Sequence, residues 1–208
     1  MGLVTIDHSM SLDGFITGPD PTPEHGLGIG GERIFAWMMD APARDGTRIL
    51  SDAYDEMIGS ETDATGAVIM GKRMFEIIDG PDGWVAPNGY QFPWPVFVLT
   101  HEVRPPETKG KTRFVYVNDG PESALAQAQA VAGGKRIAVN GGNTCQQFLR
   151  AGLVDEMRIH LVPVFLGGGV RLFDRVGESP RDLVFIGGQQ LGGVTHLDFR
   201  FAPADPLA

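Results

Sequence analysis

Short apolar runs alternate along the chain with segments whose apolar residues recur every three or four positions, the pattern of strands laid between helices. "LVTID" (3–7) opens it as the first strand, "GAVIM" (66–70) reads as a short buried strand, and "PVFVLT" (95–100), "RFVYV" (113–117) and "RIAVN" (136–140) read as further strands. Between them "ERIFAWMMD" (32–40) reads as a short helical piece. "ILSDAYDEMI" (49–58) sets Leu50, Tyr54, Met57 and Ile58 on one helical face, and "GKRMFEIIDG" (71–80) does the same with Met74, Phe75 and Ile78 before Gly80. "DGPESALAQAQAVAGG" (119–134) has Pro121 in its first turn and a glycine pair at its end. After residue 140, Cys145, Phe148 and Leu149 share a helical face, Gly152 can stop it, and Thr144 with Gln147 fits a capping box. The last third, "DEMRIHLVPVFLGGGVRLF", "DLVFIGGQQL" and "VTHLDFRFA", has no room for a helix and reads as consecutive antiparallel strands. The pattern predicts an α/β fold: a central mixed, mostly parallel sheet of about eight strands flanked by helices, with a C-terminal antiparallel meander. One domain over 1–208 accommodates it.

Composition narrows the function. With 208 residues, 42% of them hydrophobic and 21% charged, the chain can bury a full core and lacks the signature of disorder. A formal charge of -9 repels nucleic acid and anionic membranes, so an anionic ligand must be caught by a local site. Cys145 is the single cysteine, which excludes an internal disulfide and a multi-thiolate metal centre. No metal site is expected. The amino end lacks a basic start followed by a long apolar run, and no stretch reaches the ~18 apolar residues of a membrane span, so the expected setting is the cytoplasm.

Three glycine clusters compete as phosphate seats. Gly26, Gly28 and Gly31 spell a dinucleotide fingerprint, but they follow "GPDPTPEH" rather than a strand, and the long Gly- and Pro-rich segment from Thr17 to Gly46 reads as a loop. "VFLGGGV" (164–170) is followed by "RLF", a strand, so no helix amino end is available, and a bulge or strand corner fits better. Asn140-Gly141-Gly142-Asn143 lies between strand and helix: the glycines either make a tight turn or let an anion reach bare amides at the helix start. Lys72 and Arg73 open another helix after a strand and a glycine, where cations oppose the helix dipole unless an anion lies near; the alternative is solvated surface charge. Two such turns suit one ligand with two separate phosphate groups, as NADPH has.

Taken in order, "SMSLDGFITGPD", "GAVIMGKRMFE", "VFVLTH", "IAVNGGNTCQQFLRAGLVDEMRIHLVPVFLGGGVRLF" and the terminal strands resemble the dihydrofolate-reductase-like family, in the branch formed by the reductase domain of bacterial riboflavin biosynthesis. The resemblance implies an NADPH cleft. Gly71 and Lys72 would grip the 2′-phosphate with Arg73 sharing the task; Thr100 and His101 would border the adenosine ribose; Gly141, Gly142, Asn143 and Thr144 would lie beneath the pyrophosphate. Ser11, Leu12, Asp13, Gly14 and Phe15 would form the loop over nicotinamide and substrate. It also implies a homodimer through the late strands.

Departures accompany the likeness. The carboxylate that dihydrofolate reductases carry on their first helix has no firm counterpart in Glu32 or Asp40, Cys145 stands where an aromatic is usual, and the zinc ligands of the fused deaminase are missing. The expected function is NADPH-dependent reduction of a small heterocycle, resembling 5-amino-6-(5-phosphoribosylamino)uracil or dihydrofolate reduction; the alternative is a non-catalytic NADPH-binding or sensing module. Hydride transfer asks the protein for orientation and a proton. Asp13, in the covering loop, and His160 are the catalytic candidates. His160 alternates with Met157, Ile159 and Leu161 and so faces away from them, either toward the substrate end or simply satisfied on a sheet face. Trp37 walls the substrate pocket or pins the long loop to the core.

Overall fold

The computed structural model describes residues 1–39, 51–52, 62–86 and 89–202. The helix expected over 49–58 lies, apart from residues 51 and 52, outside them, as does Asp40. Among the described residues nine strands form one sheet in the order β10-β11-β8-β1-β7-β3-β4-β6-β5: β1 (Val4–Ser11), β3 (Thr65–Gly71), β4 (Pro95–Leu99), β5 (Glu107–Lys109), β6 (Thr112–Val117), β7 (Arg136–Asn140), β8 (Glu156–Val162), β10 (Leu183–Leu191) and β11 (Val194–Phe201). β2 (Phe15–Thr17) and β9 (Val170–Arg171) pair as a separate ribbon. The centre, from β8 through β1, β7, β3 and β4 to β6, is parallel. Both flanks are antiparallel, β5 on β6 and β10 on β11 on β8.

Alternation along the central strands explains the layers. Ala67 and Ile69 of β3 and Phe97 of β4 join Ile137, Val139 and Ile6 under Ala124, Leu125 and Ala128 of α2 (Pro121–Val131) and Cys145, Phe148 and Leu149 of α3 (Gly142–Arg150). Their neighbours Val68, Met70, Val96 and Val98 point the other way, onto Phe75 of α1 (Lys72–Ile78). β3 and β4 are apolar nearly throughout because each is covered twice. A 3-10 helix, Gly31–Met38, covers the second face farther along, where Ile34 and Trp37 pack on Val162 and Val194.

The structure corrects three local expectations. The strands of the last third are antiparallel neighbours as expected, but in the order β8-β11-β10 rather than in chain order, and of "RLF" only Arg171 continues a strand, which leaves the sheet to pair with β2. The Thr144–Gln147 capping box does not form, because the helix is capped one turn earlier by Gly141; Thr144 is buried within α3 and the Gln147 amide donates to Asn143 Oδ1 at 2.5 Å. The piece at 32–40 winds as a 3-10 helix that ends at Met38.

Candidate active site

β7, β3 and β4 run parallel as neighbours, so their carboxyl ends bring the turns at residues 140–144, 71–73 and 99–101 to one edge of the sheet. The first two turns touch: a Cβ on Gly71 would lie 2.8 Å from Thr144 Oγ1. Gly141 has φ 88°, a left-handed conformation that side chains resist, and a Cβ on Gly142 would lie 2.5 Å from Val170 Cγ1. The glycine pair is thus demanded by the backbone and by packing. What remains for a ligand is the amino end of α3, which no side chain caps and whose dipole favours an anion.

The cations of that edge divide the work. Lys72 hydrogen-bonds Glu102 and lies 3.5 Å from Glu76 Oε1, and the hydrogen bond and charge of Glu102 raise its pKa. Glu102 belongs to the turn of Thr100 and His101, where its amide donates to Thr100 Oγ1 at 3.1 Å. Arg73 instead opens on a cleft of about 460 Å³ walled by Pro19, Asp20, Pro21, Gly169 and Val170.

Beside the cleft, residues 11–15 are fixed at several points. Ser11 is fully buried; its hydroxyl accepts from the Phe15 amide at 2.9 Å and donates to Asp13 Oδ1 at 2.6 Å. The Asp13 carboxylate also accepts from the amides of Leu166 (3.1 Å) and Gly167 (2.8 Å). The glycine loop after β8 therefore does hold an anion, and the anion is the chain's own. Arg171 donates to the Asp13 carbonyl at 2.8 Å and lies 4.2 Å from the centre of the Phe15 ring, which is buried beneath it; the Leu172 amide donates to the Gly14 carbonyl. Burial would raise the Asp13 pKa, but the hydrogen bonds from Ser11, Gly167 and Leu166 outweigh it and hold the group below the ordinary carboxylate range. Bonded in this way the carboxylate braces the loop, with Ser11 and Phe15 packed behind it.

His160 and Trp37 meet in the interior of β8 and its cover. His160 Nε2 lies 2.7 Å from Asp7 Oδ1 and its Nδ1 lies 2.6 Å from His196 Nδ1, while His196 Nε2 donates to the Leu191 carbonyl at 3.0 Å. The Trp37 ring centre is 4.9 Å from each imidazole and its Nε1 donates to Ser9 Oγ at 3.0 Å. Glu32, in the first turn of the 3-10 helix, is exposed and outside this group. Asp7 and His196 were missed from sequence, although a signal existed: each interrupts an apolar strand at a position where an unpaired polar group is costly. Among the described residues no cluster of His, Cys, Asp and Glu is placed to hold a metal ion, and no helix is long and apolar enough to cross a membrane.

Strand order, the carboxyl-edge turns and the antiparallel return at the end of the chain define the class: this is the dihydrofolate-reductase-like fold. Within it the chain belongs to the RibD C-terminal domain family, a reductase domain of riboflavin biosynthesis, whose sequence profile matches residues 3–197. A protein from Shewanella sp. PV-4 described under riboflavin biosynthesis superposes with a TM-score of 0.67 at 21% identity over 97% of this chain and 99% of its own. The diaminohydroxyphosphoribosylaminopyrimidine deaminase/5-amino-6-(5-phosphoribosylamino)uracil reductase of Thermotoga maritima gives 0.63 at 11% identity over 97% of this chain, and Acinetobacter baumannii RibD gives 0.61 at 16% over 97%. The chain spans 57% and 58% of those two longer proteins. Comparison with curated proteins finds no match.

Proposed function

We propose that the protein is an NADPH-dependent reductase of a small heterocyclic substrate, cytoplasmic and homodimeric. The observation that carries this reading is the touching pair of strand-to-helix turns at Gly71 and Gly141–Thr144, with an uncapped helix amino end on one side and Lys72 and Arg73 on the other. When bound, the dihydronicotinamide supplies the hydride. The chain's part is to seat the pyrophosphate at the α3 amides of Gly142, Asn143 and Thr144, to hold the 2′-phosphate with Lys72 and Arg73, to flank the ribose with Thr100 and His101, and to orient the substrate under the braced loop around Ser11, Gly14 and Phe15. Trp37 closes the far side. Family membership supports a reductase, and the T. maritima likeness supports a pyrimidine-type substrate. For the dimer, support comes from edge strand β10, which exposes Leu183, Val184, Phe185 and Ile186 along an unpaired side.

Binding of NADPH and NADH, followed by loss of reduced cofactor with 5-amino-6-(5-phosphoribosylamino)uracil or dihydrofolate, tests the reading. Oxidation of NADPH with either supports it. Binding without oxidation returns the protein to the alternative of a sensing module, and no binding at millimolar cofactor defeats both.

A further inference from the structure

The proposed cofactor seat makes no use of the best-connected titratable cluster in the described residues, Asp7, His160 and His196. Register fixes its place. On one row across the sheet Asp7 stands opposite Arg158, and Arg158 opposite Asp198; on the next, Ser9 stands opposite His160, and His160 opposite His196. Arg158 and Asp198 form their own ion pair at 2.5 Å. Successive odd positions of β1 share a face, so Asp7 lies on the face that Trp37 covers, while His8 points to the other, where its Nε2 is 3.5 Å from Cys145 Sγ. On its other side Asp7 borders β7, whose pairing of Ile6 with Val139 brings Asn140, the residue before the glycine turn, alongside. Asp7 therefore joins the buried histidines to the cofactor edge, with 34% of its side chain open against 3% for His160.

The three contacts dictate a proton count. A carbonyl only accepts, so His196 carries hydrogen on Nε2 to satisfy Leu191. One proton must lie between the two Nδ1 atoms and another between His160 Nε2 and Asp7 Oδ1. Three protons are required where two neutral imidazoles bring two, so the network holds one more. That proton makes His160 an imidazolium facing a carboxylate, or sits on Asp7 between two neutral rings. The total charge is zero in both cases, which is what allows the cluster under Trp37. Burial pushes the His196 pKa down against the pull of the Leu191 carbonyl. Burial would raise Asp7, but the attraction and hydrogen bond of His160, with Arg158 and His8 adding, keep it below the ordinary range.

We propose that Asp7, His160 and His196 are the proton store of the reductase site, and that Asp7 is the catalytic acid that delivers the proton to the substrate. The proposal rests on the reductase reading above. In the reduction, a hydride supplied by bound dihydronicotinamide forms a C–H bond at the carbon of a C=N or C=O group, and the π electrons move to the heteroatom. That heteroatom takes the proton held at His160 Nε2, relayed through the Asp7 carboxylate. The substrate gains two electrons, and the store is left one proton short until water restores it through the open side of Asp7. His160 and His196 are positioning residues. They act through Asp7.

Ring-labelled 15N-histidine spectra of the whole protein test the store without turnover. At neutral pH either one doubly protonated ring in the His160–His196 pair, lost in Asp7→Asn, or a protonated Asp7 seen by its carboxyl 13C shift is expected; two neutral rings beside an ionised Asp7 overturn the store. Turnover with NADPH and 5-amino-6-(5-phosphoribosylamino)uracil tests delivery. Asp7→Asn should lower kcat about a hundredfold while NADPH affinity stays within about twofold, and His196→Gln should move the alkaline limb of the kcat profile toward lower pH. Wild-type kcat in a folded Asp7→Asn, or an unmoved pH limb in His196→Gln should the first variant not fold, overturns the donor role. Failure of the unaltered protein to bind or oxidise NADPH defeats the reductase reading and the donor role with it, and the spectra still decide the store on their own.

Discussion

At the carboxyl edge of β7, β3 and β4 the groups offered to a ligand are backbone amides, and side chains have been withdrawn to expose them: Gly71 and Gly142 leave no room for a Cβ, and Gly141 sits at φ 88°. On the face of β1, β8 and β11 the backbone is engaged in the ladder, and the offered groups are side chains, Asp7, His160 and His196, joined to one another beneath an indole. The first arrangement is insensitive to pH and intolerant of volume. The second depends on its protons. A reductase needs both kinds of surface, one to hold a polyanion and one to release a proton.

The largest effect expected is that of acid on His8, which sits on the face of β1 turned away from the histidine cluster, against Cys145. Burial pushes the His8 pKa from 6.5 down to about 4, against the attraction of Asp7, so in that window the unfolded chain binds a proton that the fold refuses. Stability contributed by neutral His8 is complete above pH 6.5 and should be lost as pH falls toward 4, on the order of 3 kcal/mol. Thermal melts over that range check it, and His8→Gln should flatten the profile.

Volume tests the glycine edge. Gly142→Ala places its Cβ 2.5 Å from Val170 and 3.3 Å from Ile16, and is expected to cost about 2 kcal/mol by denaturant unfolding while the histidine 15N spectra stay unchanged. Charge removal is gentler: Lys72 and Arg73 both replaced by Ala should weaken NADPH by roughly tenfold and leave NADH unaltered in a binding titration, about 1.4 kcal/mol. Equal loss for both cofactors would show that neither cation reads the 2′-phosphate. The smallest effect belongs to Trp37→Phe, which keeps the cover over the imidazoles and removes the hydrogen bond to Ser9, about 1 kcal/mol in the same unfolding assay with NADPH affinity unchanged.

The glycine edge was legible because its information is local. A β-branched run, two glycines and a helical face lie within "RIAVNGGNTCQQFL", and "GAVIMGKRMF" repeats the arrangement; the sheet then places the two turns together. The layers were legible for the same reason, since apolar runs alternate along the chain with helical patterns. The polar face was not. Asp7 and His160 are 153 positions apart and His160 and His196 are 36 apart, so their partnership exists only once β8 has been laid beside both β1 and β11. His160 could be assigned a face from alternation, yet its partners could not be named. Asp13 likewise has partners that only the fold supplies: its carboxylate accepts from the amides of Leu166 and Gly167, more than 150 residues away. β9 was overread because three apolar or basic residues after a glycine run look like a strand, whereas only Val170 and Arg171 pair, and they pair with β2.

The seat of Asp13 in the Leu166–Gly167 amides also bears on thermodynamics. With Ser11, Leu12, Gly14 and Arg171 adding their own bonds, the loop beside the cleft is ordered by contacts internal to the chain. Its conformational entropy is therefore lost during folding and not at the moment of association, so a ligand entering beside Arg73 meets a surface already shaped. Release of Asp13 from that seat would transfer the ordering cost to each binding event, and affinity would fall without the loss of any contact to the ligand.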